Sequence, residues 1–214
     1  EIDMMALFLY SLHPVPEPMV YLEQKGGLIR DYSITILIDN TKSCFSELNE
    51  RHSFLTLFNL IQIFNSIDIP SLDLILTSNN EPEILLHNMP SNTIFKNFSI
   101  FERLLILLSN PILTSDLSKA IKTVYELKII NKNMRDSYLF ILTDGLSYKG
   151  NENKINDHLN ICQNLGIKII IIGLGIYPYR ASEFMDTFIY SVNPHHLLKA
   201  ISNIFGKKIE TKNE

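Results

Sequence analysis

Short apolar segments that alternate with helical patterns constrain the fold of this chain more than any other feature. Residues 33–39 (SITILID), 137–144 (SYLFILTD) and 167–176 (IKIIIIGLGI) have the length of strands and are almost wholly apolar, which is typical of strands buried on both faces. Apolar residues at helical spacing separate them, beginning with Phe54, Leu57, Phe58, Ile61 and Phe64. The alternation predicts an α/β fold, in which helices flank a doubly wound and mostly parallel sheet.

The remaining segments extend this alternation. Further strands are predicted at 71–78, 82–88 and 187–192, and further helices at 94–108, 115–130, 153–166, 182–185 and 193–206. Proline and glycine punctuate residues 1–30, which predicts an extension or linker before the ordered pattern. We therefore expect one domain over residues 31–207, followed by a polar tail at 208–214.

Composition excludes several classes of function. The 214 residues carry a net charge of -4, so the composition gives no sign of a basic surface that would attract nucleic acid or an anionic membrane. No apolar run reaches the length of a membrane span. Two cysteines cannot build a disulfide framework, which favours a reducing, intracellular compartment, cytoplasmic or nuclear. Because the chain begins with Glu rather than Met, we expect it to be a piece of a longer intracellular protein.

Polar residues follow the first apolar strand at once, and three kinds of site compete for this stretch, residues 39–43 (DNTKS). A phosphate-binding loop needs glycines that let backbone amides surround the phosphate, and this stretch has none. A phosphotransferase of the haloacid-dehalogenase type would use Asp39 as its nucleophile and an acid two residues later. Thr41 stands there instead and cannot transfer a proton near neutral pH. The third possibility is a cation site, in which Asp39, Thr41 and Ser43 supply oxygen ligands.

A second carboxylate supports the cation site. Asp144 ends another predicted strand, and the carboxyl ends of parallel strands meet at one edge of the sheet. Thr114 and Ser115 precede a predicted helix that can bring a further hydroxyl to the same edge. Mg²⁺ prefers about six oxygen ligands and tolerates waters among them, and these residues offer five side-chain oxygens. The competing structural explanation is that the Asp and Ser side chains only cap a helix.

Together these residues resemble the von Willebrand factor A domain and its metal-ion-dependent adhesion site. That family has D-x-S-x-S after the first strand, Thr in a later loop and Asp in a TDG-like strand end. The matching residues here are Asp39, Thr41 and Ser43, then Ser115, then Asp144. Ser115 is preferred to Thr114 because it keeps the family's spacing to the next helix, and both exchanged residues keep a hydroxyl. The resemblance covers residues 32–206, and the loop is also similar to the midasin-type version of this domain.

The resemblance implies a module that binds proteins and performs no catalysis. The bound Mg²⁺ (or Mn²⁺) would accept a Glu or Asp side chain from a protein partner, with Thr41 and Ser43 as direct ligands. Asp39 would anchor the ion, and Ser115 and Asp144 would complete its shell. Two alternatives stay open: a metal-dependent phosphohydrolase with Asp39 as nucleophile, and a metal-free structural module with the same fold.

Overall fold

A six-stranded sheet forms the core of the part of the chain that the structure describes. The computed structural model describes residues 32–45, 50–66, 69–130, 136–148, 151–174 and 188–190, together with Leu197, Ala200, Ile201 and Ile204. The strands are β1 Tyr32–Ile38, β2 Ser71–Leu76, β3 Glu83–Met89, β4 Asp136–Thr143, β5 Ile167–Gly173 and β6 Phe188–Tyr190. Their spatial order is β3-β2-β1-β4-β5-β6. All neighbours run parallel except β3, which is antiparallel to β2. The predicted α/β fold with a mostly parallel sheet is confirmed.

Helices occupy the connections. The main differences from the prediction are one broken helix and one earlier strand end, and most other ends shift by one or two residues. The α-helices are α1 Lys42–Phe45, α2 Glu50–Ser66, α3 Thr93–Lys96, α4 Phe98–Ser109, α5 Leu117–Ile130 and α6 Glu152–Asn164, and Leu146–Tyr148 form one 3₁₀ turn. The helix predicted at 94–108 is broken at Asn97, which is extended and whose side chain accepts a hydrogen bond from the Ser99 amide. Asn favours such local caps over a helix interior, so α4 begins anew there. The third apolar strand ends at Gly173, before its predicted end at 176.

Helices cover both faces of the sheet. On one face α5 and α6 pack against strand residues such as Leu37, Ile141 and Ile169. On the other face the ring of Phe64 on α2 lies 5.0 Å from that of Phe140 on β4. Both faces are buried, and the polar residues of the predicted site lie at the edge where the strands end. Among the described residues, no helix combines the length and the apolar character that crossing a bilayer requires.

Some predicted segments lie partly or wholly outside the described residues. These are the extension 1–30, the short helix 182–185 and the tail 208–214. Within the closing helix predicted at 193–206, Leu197, Ala200, Ile201 and Ile204 are helical. The domain boundaries at residues 31 and 207 remain predictions.

Candidate metal centre

Two carboxylates lie at the carboxyl edge of the sheet, on neighbouring strands. Asp39 directly follows β1 and Asp144 directly follows β4, and these strands pair in parallel up to Ile38 and Leu142. The Asp39 amide continues the ladder with a 2.9 Å hydrogen bond to the Leu142 carbonyl. Both acids are buried, at 0% and 7% exposure. The topology therefore brings together the two acids that the sequence placed at strand ends.

Hydroxyl groups surround Asp39. Ser115 Oγ donates to its Oδ1 at 2.7 Å, and Thr143 Oγ1 donates to its Oδ2 at 2.7 Å. Ser147 Oγ lies 2.9 Å from Ser115 Oγ and extends the network. Burial raises the pKa of the Asp39 carboxyl, the hydrogen bonds from these three hydroxyls oppose that rise, and the charge of Asp144 adds to it. Asp39 thus accepts from side-chain hydroxyls at both oxygens and does not act as a simple helix cap.

The next part of the loop holds the other two predicted ligands, Thr41 and Ser43. Their hydroxyl oxygens are 3.0 Å apart. The loop is fixed against the segment before α5, because Thr41 forms a β-bridge with Ile112 and the Lys42 amide donates to the Ile112 carbonyl at 2.8 Å. The Thr41 carbonyl then accepts from the Cys44 amide at 3.1 Å and starts the single turn of α1. The spacing D-x-T-x-S is therefore a turn that places both hydroxyls side by side.

Asp144 shares its surroundings with a thiol. One ligand-capable atom from each of Asp39, Cys44 and Asp144 lies within 4.8 Å of the others, and all three residues are buried. The Leu146 amide donates to Asp144 Oδ1 at 2.9 Å. The left-handed conformation of Gly145, at φ 85°, makes this tight turn possible. Burial raises the pKa of the Cys44 thiol well above its usual range, and the neighbouring carboxylates of Asp39 and Asp144 raise it further.

The sequence anticipated part of this arrangement and missed the rest. Ser115 contacts Asp39, whereas the alternative Thr114 is exposed to solvent. Thr143, Ser147 and Cys44 were not predicted to take part. Their only signal was position, since each lies within three residues of a predicted ligand.

The charge of this site is uncompensated within the described part of the chain. No Lys, Arg or His there forms an ion pair with Asp39 or Asp144. Burying two carboxylates side by side is costly unless a positive charge offsets them. Carboxylate and hydroxyl oxygens are the ligands that Mg²⁺ and Mn²⁺ prefer. The residues present therefore fit a divalent cation.

Comparison with solved structures identifies the fold. A manganese-loaded TRAP protein of Plasmodium vivax superposes with a TM-score of 0.59 at 15% identity, over 79% of this chain and 71% of that one. BatB from Bacteroides thetaiotaomicron superposes with a TM-score of 0.60 at 11% identity, over 84% of this chain and 99% of that one. A von Willebrand factor type A protein from Catenulispora acidiphila gives 0.55 at 9% identity, over 82% of this chain and 42% of that one. This chain has a von Willebrand factor A fold.

The likeness extends to structure and not to sequence. No protein-family model matches the sequence, and no curated protein matches it. At identities of 9–15%, the superposed structures establish the von Willebrand factor A fold alone. The ligand roles of Asp39, Thr41, Ser43, Ser115 and Asp144 stay predictions, which the geometry supports by placing all five at one edge of the sheet.

Proposed function

We propose that this von Willebrand factor A domain recognises a protein partner through a bound divalent cation. The observation that carries the proposal is the pair of buried carboxylates, Asp39 and Asp144, which hydroxyls surround and no basic residue among those described neutralises. A structurally similar protein, TRAP of Plasmodium vivax, is manganese-loaded, which supports the choice of a divalent ion. We propose Mg²⁺ or Mn²⁺.

The mechanism follows from the kinds of ligand. Thr41 and Ser43 would bind the ion directly through neutral oxygens, and Asp39 would anchor it through its hydrogen-bonded carboxylate. Ser115 and Asp144 would complete the shell. Because the direct ligands Thr41 and Ser43 are neutral, the ion keeps most of its positive charge and attracts a further carboxylate. A Glu or Asp from the partner would supply it and form a charge-assisted, directional contact.

Exposed apolar side chains lie on the segments around this site. Leu113, two residues before Ser115, is 76% exposed, and Leu146, whose amide binds Asp144, is 40% exposed. Ile106 at the end of α4 is 57% exposed, next to the Leu107 carbonyl that binds the Asn40 side chain. Apolar side chains around a polar anchor are typical of protein interfaces. We therefore expect the partner's acidic residue to be flanked by apolar ones.

A pull-down from cell extract tests the proposal. The immobilised domain should capture a partner in Mg²⁺ or Mn²⁺ and release it in EDTA. Ca²⁺ should serve less well, because it prefers more ligands at longer distances. Asp39→Ala should abolish the capture while the fold persists. Replacing the acidic residue of a captured partner should cost about 2–5 kcal/mol of binding free energy. Identical bands with EDTA and with Mg²⁺ would show that this surface is not the one that binds.

We propose that the domain performs no chemistry. In a phosphohydrolase Asp39 would have to attack the substrate, yet it is 0% exposed and both its oxygens accept hydrogen bonds. Thr41→Asp supplies the missing general acid and is therefore the sharpest test. Turnover of an aryl phosphate by this variant or by the wild type would establish the enzymatic alternative. Calorimetry with Mg²⁺ and Mn²⁺ tests the metal-free alternative, because a structural module would bind neither.

We also propose that the domain works inside the cell and binds protein rather than nucleic acid. Both cysteines are free and buried, which supports a reducing compartment. The net charge of -4 supports a protein partner. Fractionation of tagged full-length protein would test the compartment, and recovery in the secreted fraction would contradict it.

A further inference from the structure

The two cysteines of this chain lie in different surroundings. Both are 0% exposed. Cys162 packs in the apolar cluster between the sheet and helices α5 and α6. Cys44 instead lies at the carboxyl edge, with its sulfur within 4.8 Å of ligand oxygens of Asp39 and Asp144. A thiol that only filled space would fit the first environment, whereas the second adds a sulfur ligand to two carboxylates.

The spacing of these three groups suits one metal ion. Zn²⁺ binds sulfur at about 2.3 Å and carboxylate oxygen at about 2.0–2.2 Å in tetrahedral geometry, so two of its ligand atoms lie about 3.4–3.6 Å apart. The three atoms here lie within 4.8 Å of one another, so they would approach by up to roughly 1 Å on binding one ion. Asp39, Cys44 and Asp144 come from three segments, the end of β1, the turn α1 and the end of β4. Zn²⁺ is four-coordinate in most protein sites, so these three ligands leave one position for a further oxygen ligand.

Uncompensated charge is a second observation that points to a cation. Asp39 and Asp144 are both buried, and no described basic side chain forms an ion pair with either. Hydroxyls of Ser115 and Thr143 hydrogen-bond to Asp39 but bring no positive charge. A divalent ion placed between the carboxylates and the sulfur would offset the two carboxylate charges, and the thiolate formed on binding would add a third negative ligand.

We propose that Cys44 is an additional metal ligand, and that the site therefore also takes thiophilic divalent ions such as Zn²⁺ or Co²⁺ besides Mg²⁺ or Mn²⁺. The inference rests on the proposed function and concerns which ions the same site accepts. Binding breaks the S–H bond, releases the proton to solvent and forms a metal–sulfur bond, with no change of oxidation state. Mg²⁺ takes oxygen ligands and would leave the thiol protonated. Thiophilic ions gain a ligand here that Mg²⁺ cannot use.

Cobalt absorption tests the sulfur bond directly. Wild-type protein titrated with Co²⁺ should develop a thiolate-to-cobalt charge-transfer band in the near ultraviolet. Cys44→Ser should lose the band, and Cys162→Ser, the matched control, should keep it. Zn²⁺ affinity should fall at least about tenfold in Cys44→Ser, while Mg²⁺ affinity changes less than about twofold. A band that survives in Cys44→Ser, or Co²⁺ binding without a band, would overturn the inference and leave the proposed function standing.

A second measurement avoids any change at the site. In the Cys162→Ser protein Cys44 is the only cysteine, so X-ray absorption of its Zn²⁺ form should show one sulfur neighbour at about 2.3 Å. A shell of oxygen and nitrogen alone would overturn the inference even if Cys44→Ser failed to fold. Failure of Mg²⁺, Mn²⁺, Zn²⁺ and Co²⁺ alike to bind the wild type would instead overturn the proposed function as well.

Discussion

Two buried acids of the same sheet, Asp73 and Asp39, differ in whether the chain itself offsets their charge. Asp73, on β2, is 2% exposed and is fully partnered from within the chain. Lys128 Nζ lies 3.4 Å from its Oδ2, and Thr35 donates to the same oxygen at 3.1 Å. His87 Nδ1 is 3.0 Å from its Oδ1, which also accepts from the Asn88 amide at 2.8 Å. This carboxylate ties the edge strand β3 and the helix α5 to the centre of the sheet.

Asp39 accepts two side-chain hydrogen bonds and has no compensating charge among the described residues. Its two oxygens accept from neutral hydroxyls, and the nearest charged carboxyl group, Asp144, repels it. We propose that the difference separates a structural acid, Asp73, from a binding acid, Asp39. The chain itself neutralises the first, whereas the second needs a cation from outside to offset its charge.

The largest expected effect is the loss of stability when the structural acid, Asp73, is replaced. Asp73→Asn should cost about 3–5 kcal/mol of unfolding free energy, because it leaves the Lys128 charge buried without its partner. Asp39→Asn, the matched variant, should cost less than about 1 kcal/mol in a chelator, because it removes a repulsive charge. Urea unfolding of both variants measures the difference. Equal losses would erase the distinction between the two acids.

The second expected effect is the stability that a bound ion adds to each protein. At a free Mn²⁺ concentration of about 100 times its dissociation constant, the wild type should gain about 2.7 kcal/mol of stability. The Asp73→Asn protein should start lower and gain the same amount, since its metal site is intact. Asp39→Asn should gain nothing. Thermal unfolding with Mn²⁺ and with EDTA measures all three, and a gain in Asp39→Asn would remove that residue from the site.

The sequence predicted the fold and the meeting of Asp39 and Asp144 at one edge of the sheet, for a simple physical reason. Buried parallel strands are apolar throughout, so residues 33–39 and 137–144 stand out, and the acids at their ends must meet if the strands are neighbours. The resemblance to the von Willebrand factor A domain supplied Ser115, and the structure places that residue on Asp39.

Side-chain partners that lie far apart in sequence could not be predicted in this way. Asp73 sits within the apolar run SLDLIL, and nothing in that run identifies Lys128 or His87 as its partners. Cys44 has the sequence signal of a buried apolar residue, and only its distance from two carboxylates distinguishes it. Local periodicity reports burial, whereas these contacts depend on how separate segments are packed together.

The third expected effect is that the contribution of Asp39 to stability depends on pH. Burial raises the pKa of Asp39 above its ordinary value of 3.8, so the folded protein holds this proton more tightly than the unfolded chain. With a chelator present, the resulting stability is complete below pH 3.8 and is lost as pH rises through the folded pKa. Each pKa unit corresponds to about 1.4 kcal/mol.

Comparison with Asp39→Asn isolates this contribution, because the other titrating groups are common to both proteins. The stability of the wild type relative to the variant should fall as pH rises above 3.8 in EDTA. In Mn²⁺ the trend should reverse, since the ion binds the ionised carboxylate. Urea unfolding across this range measures both trends. A wild type that gained stability relative to the variant as pH rose in EDTA would contradict the direction given for Asp39.

The smallest effect separates the two candidate hydroxyls before α5. Ser115→Ala removes the hydroxyl that donates to Asp39 Oδ1 at 2.7 Å, and Mn²⁺ affinity should fall about tenfold, equivalent to about 1.4 kcal/mol. Thr114→Ala is the matched control, because its side chain is exposed one residue away, and it should bind within about twofold of wild type. Ser115→Thr keeps a hydroxyl and should retain most of the affinity. Calorimetric titration of the three variants decides between them.

If Thr114→Ala weakened binding and Ser115→Ala did not, the ion would lie nearer the solvent-facing side of this loop. Asp39 would then be a buried acid held by hydroxyls alone, and its contrast with Asp73 would no longer mark a binding site.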